Sequence, residues 1–125
     1  MAMESAKPRR QRKWSYSKSL HVSYKDFSVH LSKELAKQLG RRSLEARQGD
    51  TVKVMRGNEN LVGKQGKVSA IMRPKRMLLV EGITGRKMTG TDRQIPLRPS
   101  NLLLVAIDEK DERRLKGKKG KKIGA

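Results

Sequence analysis

From Gly49 to Ile107, glycine and proline cut the chain into short alternating pieces, a pattern that few folds accommodate. Gly49-Asp50 signals a turn. Thr51 to Arg56 then alternates, with Val52 and Val54 on one face and Lys53 on the other. Gly57-Asn58 opens a loop that runs to Gly63. Gly66 to Met72 reads as a second strand, with Val68 and Ala70 on one face. Pro74 interrupts, and Met77 to Glu81 makes a third strand. Gly82, Gly85 and Gly90 punctuate the next stretch, before strands at Gln94 to Leu97 and Leu102 to Ile107. About five short strands in roughly 60 residues imply a mostly-β fold, a small closed barrel. So small a body buries only about 60% of its unfolded surface, so a bound partner would add stability.

The flanks differ in kind. Residues 1–13 combine Lys7, Pro8, Arg9, Arg10, Arg12 and Lys13 with no apolar periodicity, and are expected to be a disordered basic arm. Residues 14–46 form a helical extension, with one short helix expected near 16–25. A second has Ser32 as cap, Glu34 in the first turn, Leu35 and Leu39 on one face and Gly40 as its end. The barrel is assigned to 47–107. Residues 108–125 are expected to hold a short helix capped by Asp108, with pairs Glu109–Arg113 and Glu112–Lys116, and then a flexible Lys/Gly-rich tail.

Charge narrows the function. The chain has 125 residues, 31 Lys+Arg and 12 Asp+Glu, a formal net charge of +19. Residues 1–46, 47–107 and 108–125 carry +7, +8 and +4, so the folded segment is as basic as its flanks. A polyanion is the natural partner, since each phosphate contact releases a counterion. The chain has no Cys, which excludes disulfides, Cys-ligated zinc and thiolate catalysis. His21 and His30 have no acid or thiol at ligand spacing, so no metal site is expected. Gly57 to Lys64 departs from a nucleotide-binding loop in its glycine spacing, and Gln65 stands where Ser or Thr would hold Mg²⁺. No catalytic residue or cofactor is expected. Met1-Ala2-Met3-Glu4 has no signal-peptide apolar stretch, and a soluble cytoplasmic protein is the default expectation.

The most informative stretch is Gly49-Asp50-Thr51-Val52-Lys53-Val54-Met55-Arg56-Gly57, followed by Gly63-Lys64-Gln65-Gly66-Lys67-Val68. Gly63 and Gly66 permit positive φ or close approach, while Arg56, Lys64 and Lys67 surround the turn with positive charge. This resembles a KOW motif, the Gly-centred hairpin of SH3-like barrels. The flanking blocks Leu31-Ser32-Lys33-Glu34-Leu35, Gly40-Arg41-Arg42-Ser43, Val80-Glu81-Gly82-Ile83-Thr84 and Pro99-Ser100-Asn101-Leu102 follow in order. Over roughly residues 14–112 the chain is similar to the universal KOW family of the large ribosomal subunit, in its archaeal and eukaryotic form. The resemblance implies a structural constituent that binds rRNA near its 5′ end, acts early in subunit assembly and lies beside the peptide exit tunnel. It implies rRNA and neighbouring ribosomal proteins as partners, with no membrane, small-molecule substrate or self-association.

All four aromatics precede residue 28, so the barrel cannot stack bases or bind Pro-rich peptides. It should read RNA by phosphate, backbone amides and shape. Trp14, Tyr16, Tyr24 and Phe27 either stack on bases or dock the extension, Trp14 being the stronger candidate for stacking. The expected rRNA-binding residues begin with Arg9, Arg10, Arg12, Lys13, Trp14, Lys18 and His21, then Arg41 and Arg42 after the helix. The barrel adds Lys53, Arg56, Gly57, Asn58, Lys64, Gly66 and Lys67, the Arg73, Lys75 and Arg76 turn, and Arg98, Ser100 and Asn101. Two alternatives remain, a KOW transcription elongation factor and a non-specific basic DNA-binding protein. The first normally needs a separate α/β domain, for which residues 1–46 are too short and too basic. The second rests on the charge and the Lys/Gly tail alone.

Overall fold

A computed structural model describes residues 4–115. Four of the five expected strands are present. Val52 and Val54 of Thr51–Val54, Val68 of Gln65–Met72, and Leu78 and Val80 of Met77–Val80 all point into one apolar core, as do Leu102 and Leu104 of Leu102–Ala106. Two further strands come from the segment before residue 47, Ser28–Leu31 and Ser43–Glu45. In chain order the strands are β1 (Ser28–Leu31), β2 (Ser43–Glu45), β3 (Thr51–Val54), β4 (Gln65–Met72), β5 (Met77–Val80), β6 (Thr84–Arg86), β7 (Asp92–Gln94) and β8 (Leu102–Ala106). Six make one sheet, ordered β2-β1-β8-β3-β4-β5, and β6 pairs with β7 in a separate hairpin. The β1–β8 pairing is parallel and the others are antiparallel.

The fold is mostly β and barrel-like, but the expectation of closure is corrected. The sheet ends at β2 and β5, and neither pairs with the other. Leu97 meets β5 at a single bridge, exchanging two 2.8 Å backbone hydrogen bonds with Leu78. The strand expected at Gln94 to Leu97 does not form: β7 ends at Gln94, and Leu97 contributes only that bridge. Pro96 and Pro99 flank that bridge and offer no N–H, so the ladder cannot propagate. Ile83 and Leu97 still complete the core with buried side chains.

The third helix in chain order, α3 (Lys33–Leu39), forms as its cap predicts. The Ser32 hydroxyl accepts from the Leu35 N–H at 3.4 Å, and Gly40 ends the helix at φ 63°. The N-terminal segment differs from expectation. Residues from Pro8 onward are helical in α1 (Pro8–Ser17), which takes up residues 8–13 of the expected disordered arm. Proline at the first helical position is pre-set for the helix, and Arg, Gln and Lys are good helix formers. The helix expected near 16–25 is broken by extended backbone at Lys18 and Ser19, leaving α2 (Leu20–Ser23) and a 3₁₀ turn (Tyr24–Phe27).

Residues 108–115 fold back onto the sheet. In place of a helix capped by Asp108 there is a 3₁₀ turn at Glu112–Leu115. The Asp108 N–H donates to Asp50 Oδ1 at 3.0 Å, and Arg114 is buried against Asp50. Arg47 pairs with Asp111, and that bond holds the Asp111 carboxyl below its ordinary value. Among the described residues the expected Glu109–Arg113 pair does not form; Asp111 pairs with Arg47 and Asp108 with Lys110. The Glu112–Lys116 pair and the Lys/Gly-rich tail lie outside the described residues.

Candidate nucleic-acid interface

The basic side chains gather in separate groups. The first lies on α1, where Arg9, Arg10, Arg12 and Lys13 are all exposed and no acid accompanies them. An ionic joint holds this helix to the body. Lys18 Nζ reaches Asp26 Oδ2 at 2.5 Å, and Arg76 Nε reaches the same oxygen at 3.1 Å. Arg76 Nη1 also donates to the Ser15 hydroxyl at 2.5 Å. Arg76 takes a left-handed φ of 54°, a conformation that non-glycine residues adopt at a cost. Lys18 and Arg76 are therefore engaged inside the molecule. Lys18 also sits 4.7 Å from the Trp14 ring centroid, so Trp14 is half-buried behind a cation.

The other aromatics divide cleanly. Phe27 is buried in the core, Tyr24 is partly open and Tyr16 projects into solvent. His21 is exposed near them.

The second group is built around the loop after β3. The Gly57 φ of 130° and the Gly63 φ of 88° turn the chain. Asn58 organises the loop, its carbonyl accepting from Leu61 N–H at 2.8 Å and its side chain from Asn60 N–H at 3.2 Å. The 3₁₀ turn Pro99–Asn101 abuts it. The Asn101 carbonyl accepts from Met55 N–H at 2.8 Å and from Arg56 N–H at 3.3 Å. Arg98 and Ser100, both exposed, are thereby brought to Arg56, Gly57 and Asn58 across about forty positions of sequence. Lys64 is exposed just before β4 and Lys67 is exposed on it, and Lys53 is half-buried. Gly66 serves a different purpose from the one its motif suggests. A Cβ there would collide with the Glu81 carbonyl oxygen, so its close approach is to its own chain.

Arg73 and Lys75 are exposed in the β4–β5 turn. Arg42 is exposed after α3, its carbonyl accepting from Leu31 N–H at 3.1 Å. Arg41 is half-buried and its Nη2 is buried without a hydrogen-bond partner. No expected site cation except Lys18 and Arg76 has an ion pair among the described residues.

Two features escaped the sequence reading. The β6–β7 hairpin exposes Arg86, Lys87 and Arg93, with Met88 open at its tip. Its signal was the Arg86-Lys87 pair between Gly85 and Gly90, read only as turn punctuation. The Asp50–Arg114 pair joins residues 64 positions apart, and no local pattern announces it.

The family described as ribosomal proteins L26 of eukaryotes and L24 of archaea matches residues 5–119 of the chain. A relative named large ribosomal subunit protein uL24, from Methanosarcina barkeri, is 42% identical over 112 residues, covering 90% of this chain and 95% of that protein.

Proposed function

The chain belongs to the family of eukaryotic L26 and archaeal L24 ribosomal proteins, and from that premise we propose that it is a structural, non-enzymatic constituent of the large ribosomal subunit that binds the rRNA. The relative's name assigns that protein to the large subunit, and the likeness extends over nearly the whole of both chains. The observation that carries the rRNA reading is the Asn101 carbonyl accepting from Met55 and Arg56. It fuses the loop after β3 and the Pro99–Asn101 turn into one surface. That surface presents Arg56, Lys64 and Arg98 exposed, with no internal ion pair among the described residues. Exposed cations without acid partners suit phosphate oxygens, which orient a protein on RNA without reading sequence. In this reading the binding region is near the 5′ end of the rRNA, the contact forms early in assembly, and the site lies beside the exit tunnel among neighbouring ribosomal proteins. The exposed side chains Arg9, Arg10, Arg12, Lys13, Arg42, Lys67, Arg73 and Lys75 extend the contact.

Lys64→Glu tests it. The variant should melt like the parent chain and bind a 5′ large-subunit rRNA transcript more weakly. Unchanged affinity in Lys64→Glu and Lys67→Glu would remove the turn from the interface.

A further inference from the structure

The four aromatics do not share one role, and the one that stands free lies beside a groove. Trp14 is faced by Lys18, Phe27 is in the core and Tyr24 is partly covered, whereas Tyr16 is 87% exposed. Tyr16 borders a shallow, wide-open groove of ≈ 350 Å³ along one face of α1, lined by Pro8, Gln11, Arg12 and Ser15 of the same helix. Ser15 is fixed there by the 2.5 Å bond from Arg76. The groove is therefore built on a helix that the Asp26 joint holds in place. Arg12 is exposed and has no ion pair among the described residues. The only side-chain bond of Gln11 among the described residues is a long one, 3.5 Å to the Ala6 carbonyl.

We propose that this groove on α1 holds one unpaired RNA nucleotide. Its base lies on the Tyr16 ring, its phosphate is met by Arg12, and its edge is within reach of the Gln11 carboxamide. The proposal rests on the rRNA-binding reading and deepens it. A flat ring open to solvent offers a stacking face that tolerates any base. A guanidinium one helical turn away supplies the charge that a phosphate requires. Charge selects the occupant. The ten residues of α1 include Arg9, Arg10, Arg12 and Lys13 and no acid, so a polyanion is drawn to this face. The barrel reads phosphate and shape. This helix adds a contact to a base, and only a single-stranded or bulged nucleotide can provide one, because bases in an RNA helix are stacked away.

The full-length chain, titrated with a large-subunit rRNA transcript at several salt concentrations, tests the site. Tyr16→Ala should weaken binding roughly 5- to 150-fold, the range that loss of one stacked base gives. Its salt slope should stay at the parent value, since no phosphate contact is lost. Tyr16→Phe should bind like the parent, because stacking needs the ring and not the hydroxyl. Arg12→Ala should reduce the slope by about 0.7 to 0.9, one phosphate's share. Parent affinity in Tyr16→Ala would overturn the site, including the case in which a protein segment occupies the groove. Equal losses in Tyr16→Phe and Tyr16→Ala would overturn stacking. A parent chain that prefers rRNA no more than random duplex DNA would overturn the function itself, and the site with it. That outcome is read on the parent chain alone, so the two failures are distinct.

Discussion

Asp50 is fully buried, yet it accepts four hydrogen bonds. Its partners are the Arg47 N–H at 2.9 Å, the Asp108 N–H at 3.0 Å and the two Arg114 nitrogens at 2.7 and 2.5 Å. Arg114 Nη2 also donates to the Glu45 carbonyl at 2.7 Å. The carboxylate thus ties the turn before β3 to the returning C-terminal segment. Removing one partner of a buried pair leaves the other charge unpaired in a dry site. Asp50→Ala should therefore cost about 3–5 kcal/mol of stability, measured by denaturant unfolding. A loss below about 1 kcal/mol would mean the pair is not closed in solution. Gly66 gives a second residue-scale expectation. Gly66→Ala drives a Cβ into the Glu81 backbone, where nothing can yield cheaply, whereas Gly63→Ala meets open space and only the strain of φ 88°. The second should cost roughly 1–2 kcal/mol and the first more. The reverse order in melting experiments would contradict the β4 packing. Both residues stand out in the sequence, Asp50 as a turn former and Gly66 as a motif glycine. Their actual partners, Arg114 and Glu81, become neighbours only through the fold.

At the scale of elements, what could be read depended on how local the cause is. The α3 helix was legible because Ser32, Glu34 and Gly40 act within one turn of its ends. The central strands were legible because Val52, Val54 and Val68 alternate. By contrast β1 and β2 are four and three residues long, too short to show a period, and join the sheet only through β8 and each other. Helix α1 was illegible for another reason. Its Arg- and Lys-rich composition resembles a disordered arm, and its support is tertiary, through Lys18, Asp26 and Arg76. That support is testable. Asp26→Ala should free α1 without unfolding the sheet, giving faster tryptic cleavage within residues 8–17 at an unchanged main melting transition. Parent-like cleavage would show that the helix needs no ionic joint. The site was legible in part. Arg56, Lys64 and Arg98 were marked by type and motif, but their convergence depends on the Asn101 carbonyl, and the β6–β7 hairpin was missed.

For the whole molecule, the net charge of +19 is the quantity to explain. Among the described residues only five ion pairs form, so most cations have no acid partner, which matches the polyanionic partner proposed above. The α1 face, the loop after β3 and the β6–β7 hairpin offer basic surface in separate places, as a structured RNA would require. Titration against a large-subunit rRNA transcript and against random duplex DNA, over a series of salt concentrations, tests this most directly. If about 8–10 phosphates are contacted, the rRNA log–log slope should be about −6 to −9, and rRNA should bind more tightly than DNA at every salt concentration. Equal affinity for the two at the same salt would contradict the account.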